Sequence, residues 1–210
     1  MPAARGDGLI AETCSETPVR SGAVILVRHG EPALSRKVRL SAGGYRDWWA
    51  LYEIGGIKDG QRPPDALVAV AASAGAIFAS TRRRSVETTL ALTRGGAFTE
   101  DPIFIEAPLP PPAWPAWIRM SPRIWGFTAR LWWWFFDHHE GQETRAQASV
   151  RAALAADRLI ALAAQGQDVV VVAHGFFNGM VGGALKRRGW RCTDDQGFRY
   201  WSARRFEAGS

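Results

Sequence analysis

Two apolar runs in this chain end in the same way. Val24 to Val27 lead into Arg28, His29, Gly30 and Glu31, and the run from Val169 leads into His174 and Gly175. The chain has four histidines, and two of them take this position. A third run, "AIFAS", leads into Ser80 and then Arg82, Arg83 and Arg84, and a fourth, "PIFIE", ends in Glu106. Arginine forks match a tetrahedral phosphate through paired, charge-assisted hydrogen bonds, so Arg28 and Arg84 could grip a phosphoryl group. A neutral imidazole, His29, could attack phosphorus and form a covalent phosphohistidine. His174, if protonated, would donate to the same oxygens. A negative phosphate beside Glu106 would help that side chain hold a proton at neutral pH, which makes it the general acid for the leaving group and then the base for water.

For these residues to meet, the runs must be neighbouring strands of one sheet. Short β-branched runs alternate with alanine- and leucine-rich stretches of helical period, the pattern of an α/β three-layer sandwich with a mostly parallel central sheet and helices on both faces. Strands are expected near 23–28, 76–80, 102–105 and 168–173, with a final edge strand at 197–207. Helices are expected at 46–54, 64–74, 84–93, 120–137, 143–165 and 176–188. In such sheets ligands bind outside the carboxyl ends of the strands, which is where all five candidate residues fall.

At 210 residues with 47% hydrophobic content the chain is long enough for one core, here expected over 21–210, with residues 1–20 as a flexible, mixed-charge tail. A net charge of +6 is compatible with nucleic acid, an anionic membrane surface or a small acidic substrate. The arginines form only short clusters with no aromatic-interleaved stripe, which places nucleic acid last. Cys14 and Cys192 are far apart, without metal-type spacing. Free thiols, the lack of a signal-like apolar segment and the lack of a membrane-length run predict a cytoplasmic protein.

"LVRHGE", "STRRRSVETT", "IEAPLP" and "VVAHG", in that order, resemble the four signatures of the histidine phosphatase superfamily, the phosphoglycerate mutase-like family. The resemblance spans roughly residues 22 to 180. It implies a phosphohistidine at His29, a phosphate pocket of Arg28, Arg84 and His174, and a proton donor at Glu106; because arginines and imidazoles already supply the positive charge that a metal would bring, no metal or cofactor is expected. Arg84, Ser85, Val86, Glu87 and Thr88 fit the family's arginine motif, whereas Arg82 and Arg83 fall outside its register. Two departures stand out. Pro32 and Ser35 replace the Thr or Ser and the Asn that many members carry after the first motif. "APLPPPAWP" also replaces the basic, tyrosine-containing segment of the glycolytic mutases, which argues for a phosphatase acting on a small phosphorylated substrate. A mutase-like phosphotransferase, or a non-catalytic phosphate- or membrane-binding module of the same fold, are the alternatives.

Plainer readings exist for several of these residues. A His-Gly pair after a strand can be an ordinary turn, and Glu106 could be a surface carboxylate. The "DHHE" at 137–140 suggests a metal site, but adjacent helical residues point about 100° apart, so His138 and His139 are poorly placed to share an ion. The aromatic-rich segment, about 107–139, contains six tryptophans between Trp114 and Trp134. It could be core, an apolar wall selecting a bulky phosphoester, or a peripheral membrane contact.

Overall fold

The computed structural model describes residues 21–209; the tail expected over 1–20 lies outside them. Its sheet has six strands: β1 (Val24–Arg28), β2 (Ala76–Ala79), β3 (Thr99–Glu100), β4 (Val169–Ala173), β5 (Trp190–Asp195) and β6 (Ala203–Ala208), in the spatial order β3-β2-β4-β1-β6-β5. The first four in that order run parallel, and β6 is antiparallel to both of its neighbours, β1 and β5. Six helices accompany it: α1 (Ala42–Ile54), α2 (Asp65–Ser73), α3 (Arg83–Thr93), α4 (Pro122–Phe136), α5 (Arg145–Ala163) and α6 (Gly175–Arg187).

The central strands are apolar on both sides because both sides are covered. Val24 and Leu26 of β1 and Val169 and Val171 of β4 pack with Ala152, Ala155 and Leu159 of α5 and Val181 of α6. Ile25, Val27, Val170 and Val172 face the other way, onto Leu67 and Ala71 of α2 and Leu92 of α3. The expected sandwich with helices on both faces is therefore what the chain forms. The small residues of α5 (Ala152, Ala155, Ala156, all essentially inaccessible) let that helix lie close to the sheet.

Two expected strands differ. Residues 102–105 form no strand; Pro102–Phe104 is a single 3₁₀ turn. Pro102 has no N–H for a ladder, Asp101 caps the Ile103 N–H at 2.9 Å, and Arg151 Nη1 donates to the carbonyls of Ile103 and Ile105 at 2.7 and 2.9 Å. The side chains thus satisfy a backbone that a neighbouring strand would otherwise have paired. The single edge strand expected at 197–207 is the second half of a β5–β6 hairpin. Residues 197–202 form its turn, where Gly197 and Trp201 take positive φ. α1 also starts four residues before the expected position, at the Ser41 cap, whose hydroxyl accepts from the Gly44 N–H.

Candidate active site

Register brings the site together. β1 pairs with β4 in parallel, Arg28 opposite Ala173, so the next residue on each strand is a histidine. The imidazole centroids of His29 and His174 lie 5.2 Å apart, with their planes inclined at 63°. On the other side of β4, Ala79 pairs with Val172, which carries Ser80 to His174: Ser80 Oγ and His174 Nε2 are 2.9 Å apart.

The two His-Gly pairs also have steric reasons. A Cβ on Gly30 would lie 2.7 Å from the Trp201 ring, and one on Gly175 would press the Arg28 guanidinium at 3.3 Å. Gly30 thus leaves room for the Trp201 ring, and Gly175 for the Arg28 side chain.

His29 is 2% exposed, and its Nδ1 sits 2.8 Å from the Gly30 carbonyl. A carbonyl only accepts, so Nδ1 carries the hydrogen. Burial first, then the nearby guanidinium groups of Arg84 and Arg28, hold its pKa well below the usual imidazole range. The ring is therefore neutral at pH 7, with its lone pair on Nε2. His174 is depressed in the same direction, by burial first and then Arg84. These surroundings favour a neutral His174 over the protonated ring considered from the sequence, and a neutral ring has one N–H to offer. Its Nδ1 has no partner.

Arg84 lies in the first turn of α3 and is wholly buried. Nη1 donates to the Tyr52 carbonyl and Nη2 to Glu53 Oε1, each at 2.9 Å. Its guanidinium lies over the Tyr52 ring, 4.4 Å from the centroid. Glu53 also takes Arg82 at 2.6 Å. Three successive arginines at a helix N-terminus oppose the helix dipole, and the Glu53 carboxylate offsets two of them, Arg82 and Arg84. Only Nε of Arg84 lacks a partner, as does Nε of Arg28. Arg28 Nη1 donates to the Phe198 carbonyl, and the Tyr200 ring covers its guanidinium at 4.5 Å. Arg83, outside the motif register, pairs with Glu87 on its own helix.

Glu106 comes from a loop, not from the strand end expected for it. Its carboxylate accepts from the N–H groups of Phe177 at 2.8 Å, Ala107 at 3.3 Å and Phe176 at 3.4 Å. It is thereby fixed at the start of α6, beside His174. Elsewhere, His138 and His139 lie beyond the end of α4, and no group of three or more potential metal ligands occurs among the described residues.

Sequence reasoning did not find Ser80's role, Tyr52, Glu53, Thr88 or Tyr200. Thr88 accepts from the Gly30 N–H at 2.9 Å, and it does stand in the arginine motif. Tyr200 had no local signal, since it arrives through the hairpin turn. Because β6 runs antiparallel to β1, the turn that feeds it crosses the ends of the parallel strands, with Trp201 N–H bonded to the Arg28 carbonyl. That crossing sets the Tyr200 ring 5.8 Å from His29.

The chain belongs to the Histidine phosphatase superfamily (branch 1), which it matches over residues 24–191. Among solved structures it is similar to a mycobacterial glucosyl-3-phosphoglycerate phosphatase complexed with VO3, with 21% identity over 80% of this chain and 83% of that one (TM-score 0.53). Mycobacterial hydrolase 1 shares 20% over 80% and 79% (TM-score 0.54). A phosphoserine phosphatase from Entamoeba histolytica, in complex with phosphoserine, shares 15% over 79% and 80% (TM-score 0.51). At these identities the likeness is one of fold. A search of curated proteins found no match.

Proposed function

We propose that this protein is a metal-independent phosphatase that hydrolyses a phosphomonoester through a phosphohistidine at His29 Nε2. The observation that carries this reading is the neutral imidazole itself: Nδ1 is tied to the Gly30 carbonyl at 2.8 Å, and burial and two arginines keep the ring unprotonated. A nucleophile needs that state, and a structural histidine in a turn does not. In the first step Nε2 bonds to phosphorus and the ester P–O bond breaks, with Glu106 giving its proton to the leaving oxygen. In the second, water attacks phosphorus, Glu106 takes its proton, and the P–N bond breaks to restore His29. Arg28 and Arg84 supply positive charge to the phosphoryl oxygens throughout, the contribution a metal makes elsewhere.

The test is to trap the intermediate. Brief reaction with a radiolabelled phosphomonoester, quenched in base, is expected to leave label on the wild-type chain that acid removes. Label that persists on His29→Ala would overturn the assignment of the nucleophile. Turnover in excess chelator is expected to match that without it, and loss restored by a divalent ion would overturn the metal-independent reading.

A further inference from the structure

The aromatic segment divides in two. Trp125 and Trp133 are fully buried, but the opposite side of α4 is apolar as well. At about 100° per residue, Trp125, Gly126, Ala129 and Trp133 fall on one side of the helix. Ile124, Phe127, Leu131, Trp134 and Phe135 lie within an arc of about 100° directly opposite. All five of these outer residues are exposed, Phe127 by 61% and Phe135 by 71%. Trp117, just before the helix, is 80% exposed. An ordinary surface helix turns polar residues outward, and an apolar stripe in that position marks a surface with something to bind.

The charge beside the stripe identifies what that is. α4 contains two basic residues, Arg123 and Arg130, and no acid. Arg145 lies over the Trp134 ring at 5.3 Å. Of the nearby acids, Glu140 pairs with Arg46 and Glu143 with Arg151, while Asp137 accepts the backbone N–H of Arg145. At its N-terminal end the stripe adjoins a pocket of about 720 Å³ that Ser121 and Arg123 help to line. Arg28 of the candidate active site, with Arg36, Lys37, Lys58 and Arg199, completes its positive wall, and its one carboxylate, Glu31, pairs with Lys58. A two-fold dimer through α4 would set its basic border against an identical one. An anionic bilayer complements both features, because its acyl boundary accepts tryptophan and phenylalanine while its headgroups meet the arginines.

We propose that the outer face of α4 docks this protein on an anionic lipid bilayer, with the basic pocket turned toward the headgroups. This claim does not depend on the phosphatase reading, and its test reads binding, not turnover. The full-length chain is sedimented with vesicles of phosphatidylcholine alone and with vesicles in which a third of the lipid is phosphatidylserine. It is expected to pellet with the second, less with the first, and less as salt is raised. The double variant Phe127→Glu, Phe135→Glu, with its fold checked by circular dichroism, is expected to lose about tenfold or more of the partitioning. If that variant does not fold, Phe127→Ser alone is expected to weaken partitioning in the same direction. The proposal is overturned if the wild type stays in the supernatant with phosphatidylserine vesicles, or if a folded variant pellets as the wild type does. A wild-type dimer that these substitutions dissociate, with no vesicle binding, would assign the face to a second copy of the chain and overturn it equally.

Discussion

The ends of β1 and β4 carry the same dipeptide, His-Gly, side by side in one sheet, yet their imidazoles are held in opposite senses. His29 is gripped at Nδ1 by a carbonyl, and His174 meets a hydroxyl at Nε2. A carbonyl oxygen can only accept, so it dictates the tautomer; a hydroxyl can donate or accept, so it dictates none. One ring is committed to presenting a lone pair at Nε2, and the other can exchange the roles of its nitrogens as charge arrives. The roles proposed for the two rings, nucleophile and oxyanion donor, thus rest on their hydrogen-bond partners, because sequence, burial and electrostatics treat the two residues almost alike.

The largest expected effect breaks that symmetry outright. His29→Ala should lose roughly four orders of magnitude or more in kcat on an aryl phosphate, since no other group offers the nucleophile. His174→Ala removes a donor only, and its loss should be roughly 10²–10³. Both are read by phosphate release, with circular dichroism confirming the fold. Equal losses would mean that the two rings share one role.

Glu106 sharpens the comparison, because its carboxylate is held by the N–H groups of Phe176 and Phe177, on the helix whose N-cap is His174. In Glu106→Gln the amide oxygen can still accept the Phe177 N–H, so the loop keeps its anchor while the acid is gone. With phosphoenzyme formation rate-limiting, alkyl phosphates should lose about a hundredfold, and nitrophenyl phosphate much less, because nitrophenolate leaves without a proton. An equal loss on both substrates would assign Glu106 another task.

The parallel half of the site was legible in the sequence and the cover over it was not. Apolar runs that end in Arg28-His29 and His174 announce strands and their carboxyl ends; that the two strands are neighbours was a condition of the reading, and the pairing of β1 with β4 meets it. Glu106 was placed at a strand end because "PIFIE" is β-branched and apolar. That signal is local, whereas the turn is held by Arg151, some 46 residues further on. Tyr200 and Glu53 were invisible for the same reason. Each reaches the site through a long-range contact, Tyr200 through the antiparallel hairpin and Glu53 through α1, and neither leaves a periodic trace. In the aromatic segment the helix itself was legible, but composition could not say which of its rings face inward, because both sides of α4 are apolar.

Acid should expose the feature the two histidines share. Both are held well below the usual imidazole range in the folded chain, chiefly by burial, while in the unfolded chain they titrate near 6.5. Above that pH neither state binds the protons, and the histidines leave stability unchanged. Below it the unfolded chain takes up protons that the folded chain refuses, so stability falls with pH by up to about 1.4 kcal/mol per unit for each ring. Carboxylates titrate in part of the same window, so the informative quantity is the difference between wild type and His174→Gln. Urea denaturation across the range from about pH 7.5 to 5.5 should show a shallower decline in the variant. Identical slopes would mean that His174 is not held neutral by its surroundings.

The smallest expected effect tests the hydroxyl that distinguishes the two rings. Ser80 is fully buried and touches His174 without reaching His29, so Ser80→Ala should leave the nucleophile's tautomer intact. His174 would keep its place, because its backbone caps α6 and the strand pairing beneath it is unchanged, but it would lose the partner that orients Nε2. A hydrogen bond of this kind contributes about 1 kcal/mol net, so the loss in kcat/KM should be about fivefold. A purely structural hydroxyl could give the same rate loss through general loosening. Nitrogen chemical shifts of the imidazoles separate the two cases: the His174 signals should move toward a tautomeric mixture while those of His29 stay fixed. If both rings shift together, the contrast between carbonyl and hydroxyl is not what divides their roles.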